Sequence, residues 1–241
     1  MSDGLNTGKE GIKKKDMTGK KLQVLGQFNT GTNLLMEMIL NNCVNARDKS
    51  TMEVCDNMLC WKHTYHRLWR VRELLQSGDH VFIIMYKNVF AWLYGISKES
   101  YDIQIKTLDG PVTLQGFSYP NLLEIYNTYY TAYRDLVQKH PHRVVFLDYH
   151  RLIEQPDCVE YLRSRLKTIG LEVPDAQQVR DVLDRPAKIH GSSVRDWKEA
   201  QERYPKILLQ YRNYVQERPG LAASYRQDLV DFFEQENKES K

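Results

Sequence analysis

The chain lacks several features that would place it in a class at once. Only four of its 241 residues are cysteines, Cys43, Cys55, Cys60 and Cys158. Their spacing makes no disulfide framework, which argues against a small stapled secreted fold. The opening stretch MSDGLNTGKEGIKKKDMTGKK is polar and lysine-rich, without the apolar centre of a signal peptide. Runs of 18 or more apolar residues are absent, so no membrane span is expected. Charge of one sign is also missing: 34 Lys and Arg stand against 31 Asp and Glu, a formal net charge of +3. That balance argues against a nucleic-acid footprint but is compatible with one anionic ligand held in a pocket. Internal repeats and low-complexity segments are absent as well. Together these absences predict a reduced, cytoplasmic protein with neither nucleic acid nor membrane as partner. Residues 1–20 are expected to form a flexible tail and 21–241 a single domain.

What is present is enough apolar residue, 41%, for a sizeable core. Lys21–Gly26 is a short apolar run closed by a glycine loop, as a buried strand is. Thr32–Cys43 carries Leu34, Leu35, Met38 and Ile39 at helical spacing. Asn57–Lys62 is a candidate second strand, and His66–Gln76 a helix ended by Gly78. HVFIIMY (His80–Tyr86) is almost continuously apolar, like a parallel strand covered on both faces. A helix over Val89–Ser97 follows. Residues 102–120, with Gly110, Pro111, Gly116 and Pro120, read as a loop or excursion; a wall or lid for a substrate and a plain surface loop both fit. Asn121–His140 is a long amphipathic helix and RVVFLDY (Arg143–Tyr149) another buried strand. Further helices are expected near Cys158–Ile169, Asp175–Leu183, Glu199–Glu217 and Ser224–Glu236. Alternating strands and helices predict an α/β fold: a parallel sheet of about 4–5 strands flanked by helices, with a helical C-terminal third. Ligands of such sheets lie at the carboxyl ends of the strands. This directs attention to Phe28–Asn33, His63–His66, Lys87–Asn88 and Tyr149–Arg151.

GQFNTGTN (Gly26–Asn33) joins the first strand to the first helix. Such a loop wraps an anion with backbone N–H groups at the positive end of the helix. Gly26 permits the turn, Gly31 a close backbone approach, and Thr32 and Asn33 add side-chain donors. A plain strand–loop–helix turn fits the same residues. A nucleotide-hydrolysing loop needs Lys and then Ser or Thr after the second glycine, to hold the terminal phosphates and magnesium. Thr32 and Asn33 stand there instead, which disfavours magnesium-dependent phosphoryl transfer. Sulfuryl transfer can use the same loop geometry without a metal, because fixed donors and one or two cations suffice for the leaving phosphate.

Several segments then resemble, in order, the motifs of the sulfotransferases that use PAPS (3′-phosphoadenosine-5′-phosphosulfate). FNTGT (Phe28–Thr32) matches the family's PKSGT loop. CWKH (Cys60–His63) matches its KTH-like segment, and YKNVFAWLYGIS (Tyr86–Ser97) its RNP with a following serine. DYHRLIEQP (Asp148–Pro156) matches YEDL…P, and HGSSVRDWK (His190–Lys198) the RKG…GDWK loop. The resemblance runs from about Gly26 to Lys198. It implies a three-layer P-loop-like fold and metal-independent transfer of a sulfuryl group from PAPS, with PAP as product, to a hydroxyl or amine of a small-molecule acceptor.

Residue by residue, the resemblance implies that Thr30, Gly31, Thr32 and Asn33 bind the 5′-phosphosulfate. Lys87 would contact the 3′-phosphate in place of the family's arginine, and Tyr149 would pack near the adenine. Gly191, Ser192 and Ser193 would close over the 3′-phosphate, with His190 or Arg195 as cation. His63 would be the general base; histidine titrates near neutrality, as that role requires.

The departures are specific. Asn29 stands where the family has a loop cation, and Lys87 and Val89 replace Arg and Pro of RNP. Gly95 occupies the serine position, with Ser97 two residues on, and RKG is not intact. Lys62, beside His63, is the candidate for the missing cation. Three other readings remain open. Cys55, Cys60, His63 and His66 form a C-x4-C-x2-H-x2-H set that suggests zinc, although tighter than the usual two-knuckle spacing. A small P-loop kinase would use Asp148 as a metal ligand. A catalytically weak nucleotide-binding protein would account for the substituted motifs.

Overall fold

The computed structural model describes residues 19–40, 42–48, 63, 68–99, 103, 107–154, 157–184, 187–188, 194–195 and 197–238. In chain order the elements are β1 (Lys20–Gly26), α1 (Thr32–Ile39), β2 (Ala46–Asp48), α2 (Leu68–Gln76), β3 (His80–Tyr86) and α3 (Val89–Lys98). Then come β4 (Val112–Leu114), β5 (Phe117–Tyr119), α4 (Leu122–Lys139), β6 (Val144–Asp148), α5 (Tyr149–Ile153), α6 (Cys158–Lys167) and α7 (Ala176–Asp184). The chain ends with β7 (Ala187–Lys188), β8 (Val194–Arg195), α8 (Trp197–Gln216), α9 (Pro219–Ser224) and α10 (Gln227–Lys238).

The fold is α/β. Strands β1, β3 and β6 form a parallel sheet with β3 in the middle, and the short β2 adds to the outer edge of β1 at two register positions. Alternation along β3 assigns each face. Phe82, Ile84 and Tyr86 pack with α2, α3, α4 and the C-terminal helices, while Val81, Ile83 and Met85 pack with α1, α5, α6 and α7. All seven residues of β3 are buried, which is why the strand reads as one apolar run rather than an alternating one. Each large apolar side chain so buried is worth roughly 1.5–3 kcal/mol. Arg143 holds the amino edge by donating to Leu75 O and His80 O.

The register sets where a ligand end lies. Gly26 pairs with Met85, and Tyr86 with Asp148. The three strands therefore finish side by side, and the glycine loop, Lys87 and Tyr149 leave the same edge of the sheet.

Several expectations meet their limits here. The strand expected at Arg143–Tyr149 stops at Asp148, because the Asp148 carboxylate accepts from His150 N at 2.8 Å and starts α5. Within 102–120, a hairpin forms instead of a plain loop: β4 and β5 pair antiparallel across Gln115 (φ 52°) and Gly116 (φ 82°), a two-residue turn with both φ positive. The helix expected at Ser224–Glu236 is α10, which starts only at Gln227, and the separate short helix α9 (Pro219–Ser224) precedes it. Asn127 Nδ2 donates to Ser224 O at 2.7 Å and Asn121 Nδ2 to Ser224 Oγ at 3.0 Å, so α4 takes the terminal groups of α9 and the chain turns before α10. Asn57–Lys62 and the 1–18 part of the expected tail lie outside the described residues. No helix among the described residues is long and apolar enough to cross a membrane.

Candidate functional site

The loop after β1 is tight from its first residue. A Cβ on Gly26 would lie 2.6 Å from Thr30 Oγ1 and 2.9 Å from Thr32 Cγ2, so only glycine lets the loop fold back over the strand end. Thr30 is fully buried and its hydroxyl donates to Gln27 O at 2.7 Å, which makes it a brace of the loop. Gly31 is left-handed (φ 84°) and precedes α1 with no side-chain cap, whereas Asn88, Asn121 and Asp148 cap α3, α4 and α5 with side-chain oxygens. The first N–H groups of α1 thus begin at a bare glycine, the geometry suited to an anion. Thr32 is buried in this first turn and Asn33 is exposed.

Asn29 also has positive φ, 62°. Asparagine tolerates that region better than most residues, a physical reason for its presence that the sequence alone did not show. Its side chain lies against Gly95 on α3: a Cβ there would stand 2.4 Å from Asn29 Nδ2. Gly95 is therefore at the loop because it makes room for Asn29.

Lys87 follows β3 directly and is 5% exposed. Its Nζ donates to Asn29 O at 3.0 Å and lies 3.5 Å from Asn29 Oδ1. The ammonium also stands 4.6 Å from the centre of the Tyr149 ring. That ring presses on the loop glycine, with Tyr149 Cδ2 2.4 Å from where a Gly31 Cβ would be. Tyr149 is thus a wall of the loop and a platform for Lys87. The main chain of Lys87 is held from both sides by α4: Tyr126 Oη donates to Lys87 O at 2.9 Å, and Lys87 N donates to Tyr130 Oη at 3.4 Å.

His63 comes to the same edge. Its Nδ1 is 2.8 Å from Gly26 O. A carbonyl only accepts, so Nδ1 carries the hydrogen and Nε2 is the basic nitrogen of the neutral ring. The imidazole stacks on Phe28 (4.5 Å between ring centres, 22° between planes), and Tyr129 Oη donates to His63 O at 2.8 Å. His63, the glycine loop, Lys87 and Tyr149 therefore meet at the ends of β1, β3 and β6.

Other expected residues stand elsewhere. Ser97 bonds Tyr94 O and Tyr211 Oη, both at 2.7 Å, and belongs to the α3–α8 seam rather than to the loop. Arg195 lies on β8, with only its backbone described. Lys62, His190, Gly191, Ser192, Ser193 and the zinc candidates Cys55, Cys60 and His66 lie outside the described residues. Four supporting residues were not expected: Gln27, whose Nε2 donates to Ile125 O; Trp92, whose Nε1 donates to Phe28 O; and Tyr126 and Tyr129. The one signal available for any of them is the helical spacing of Tyr126, Tyr129, Tyr130 and Tyr133 along α4.

Asp148 closes the far side of the edge. Burial pushes its carboxyl from the ordinary 3.8 up to about 7, reinforced by Glu234 and opposed by the His150 N–H and by Arg151. Glu234 in turn accepts from Asn88 Nδ2 at 2.9 Å. No family model, curated protein or solved structure matches this chain.

Proposed function

We propose that the protein is a PAPS-dependent sulfotransferase with a P-loop-like fold, moving a sulfuryl group to a hydroxyl or amine of a small-molecule acceptor without a metal. The observation that carries the reading is the meeting of a buried lysine ammonium, a left-handed glycine at an uncapped helix start and a histidine with a fixed tautomer at one sheet edge. The donor set fits the 5′-phosphosulfate of PAPS: backbone N–H groups at Gly31–Asn33 and one close cation. Tyr149, tight against Gly31, serves the loop rather than an adenine in this arrangement.

In the reaction, the acceptor oxygen or nitrogen attacks sulfur and gives up its proton to His63 Nε2. The bond from sulfur to the bridging oxygen breaks, and the electron pair stays on the leaving bisphosphate. Donors already oriented around that oxygen lower the barrier because they need no reorganisation as charge develops. Asp148 is a poor magnesium ligand, since its carboxyl caps α5 by accepting from His150 N, and burial, which raises it to about 7, disfavours the ionised form that a metal needs. This favours the sulfuryl reading over a kinase.

The test is transfer of label from radiolabelled PAPS to a panel of phenols, alcohols and amines, with and without EDTA. Transfer that EDTA leaves unchanged is expected. Magnesium-dependent ATP consumption without sulfuryl transfer would replace this reading with the kinase. Binding of PAP with no transfer to any acceptor would replace it with a catalytically weak nucleotide-binding protein, for which the bracing of Thr30 against Gln27 O is the favouring observation.

A further inference from the structure

We propose that the positive charge absent from the loop at position 29 is supplied by Lys87, and that Lys87 serves the 5′ side of the nucleotide rather than a 3′-phosphate. The inference rests on the reading of the loop as the holder of a 5′-phosphosulfate. It deepens that reading by assigning the leaving-group cation, a role the sequence suggested for Lys62.

Three substitutions against the resembled motifs touch one another. Asn29 takes the loop-cation position, Lys87 the arginine position and Gly95 the serine position. Lys87 Nζ bonds Asn29 O at 3.0 Å, and the Asn29 amide fills the space that any Cβ on Gly95 would enter. With φ at 62°, the position-29 side chain is aimed at α3. A lysine on that backbone would start its stem toward Gly95 instead of the loop mouth. A serine at position 95 would displace the amide. Asparagine, glycine and a lysine reaching across from β3 are mutually consistent, and each one alone would be a defect.

Lys87 is also placed as a loop cation has to be. Tyr126 and Tyr130 fix its main chain, its stem is buried, and its ammonium lies over the Tyr149 ring that touches Gly31. A buried ammonium near the loop acts through a medium less polar than water, so its effect on a developing phosphate charge is larger than that of an exposed lysine. In the transfer step it stays protonated. It donates a hydrogen bond to a 5′-phosphate oxygen as the bond from sulfur to the bridging oxygen breaks.

The test is calorimetric titration of wild type, Lys87→Gln and Lys87→Arg with three probes: adenosine 5′-monophosphate, adenosine 3′-monophosphate and adenosine 3′,5′-bisphosphate. Lys87→Gln is expected to weaken the 5′-monophosphate and the bisphosphate by the same factor, about tenfold, as loss of a charge-assisted hydrogen bond does. The 3′-monophosphate should be unaffected, and Lys87→Arg should recover most of the loss. Weakening confined to the two probes with a 3′-phosphate overturns the assignment. If Lys87→Gln melts below the assay temperature, Gly95→Ser takes its place. It displaces the Asn29 amide, and the same pattern is expected; loss of 3′-phosphate probes only, or no loss at all, overturns the assignment. Wild type binding none of the three probes overturns the reading of the loop itself, an outcome distinct from wild-type binding with 3′-specific loss.

Discussion

Asp79, just before β3, and Asp148, at the end of β6, stand at opposite edges of the same parallel sheet, and their carboxyl groups are pushed in opposite directions. Burial is the largest single influence on Asp79 and pushes it up, but the Ser77 hydroxyl, His80 and Lys21 together outweigh it and hold the group at about 2. Asp148 is pushed by burial up to about 7. The lysines divide in the same way. At the amino edge Lys20 donates to Ile169 O at 2.7 Å, and Lys21 lies 3.5 Å from Asp79 with both side chains about a third exposed. At the carboxyl edge Lys87 is buried against the backbone of a loop whose Asn29 and Gly31 both have positive φ. The amino edge is a set of ordinary clasps near solvent. The carboxyl edge concentrates a buried cation, left-handed backbone and an acid partly neutralised by burial, the combination suited to receiving an anion.

The largest effect is expected at the loop. Gly31→Ala would put a Cβ 2.4 Å from Tyr149 Cδ2 on a backbone at φ 84°. We expect a loss of about 2 kcal/mol in urea unfolding, from left-handed strain plus displacement of the ring. Binding of adenosine 3′,5′-bisphosphate should be lost with it. Unchanged stability and binding would show that the loop adapts freely, and the contrast between the edges would fall.

A second effect separates the two aspartates by pH. For Asp148 the folded-state value is raised, so its contribution is complete below about 3.8 and is lost as pH rises through about 7. Asp148→Asn retains an oxygen for the His150 N–H and cannot ionise. Its stability advantage over wild type should therefore grow between these pH values and level off above them, as followed by denaturant melts across pH. Asp79 has the opposite sign: its lowered value gives a contribution present above about 3.8 and lost as pH falls through about 2. A gap between Asp148→Asn and wild type that is flat with pH would contradict the buried acid.

The smallest effect is expected at the amino edge. Lys21→Ala should cost less than about 1 kcal/mol, and less still at high salt, as partly exposed ion pairs do. A larger, salt-insensitive loss in a chemical melt would mean that this edge too holds buried charge.

Much of the framework was legible in the sequence. His80–Tyr86 is a strand at its expected bounds because burial on both faces leaves a continuous apolar run. Thr32 begins α1 because the glycine pattern marks the turn before it. Short elements without a strong pattern were not legible: β2 is three residues long, and the hairpin turn is Gln-Gly rather than Asn-Gly. The contacts of Asn29 with Lys87 and Gly95 were also hidden. No local spacing connects positions 29, 87 and 95. The alignment of Gly26 with Met85 brings the loop beside Lys87, and α3, leaving the same strand end, carries Gly95 back to it. His63 was legible as a candidate base, but the bond that fixes its tautomer was not, because Gly26 O becomes its partner only after folding.

The most direct measurement is a calorimetric titration of the wild-type protein with adenosine 3′,5′-bisphosphate, set beside ATP with magnesium. Saturable one-site binding of the bisphosphate, tighter than ATP with magnesium and unchanged by EDTA, is the predicted result. Preference for ATP with magnesium, or no binding of the bisphosphate, would contradict the account.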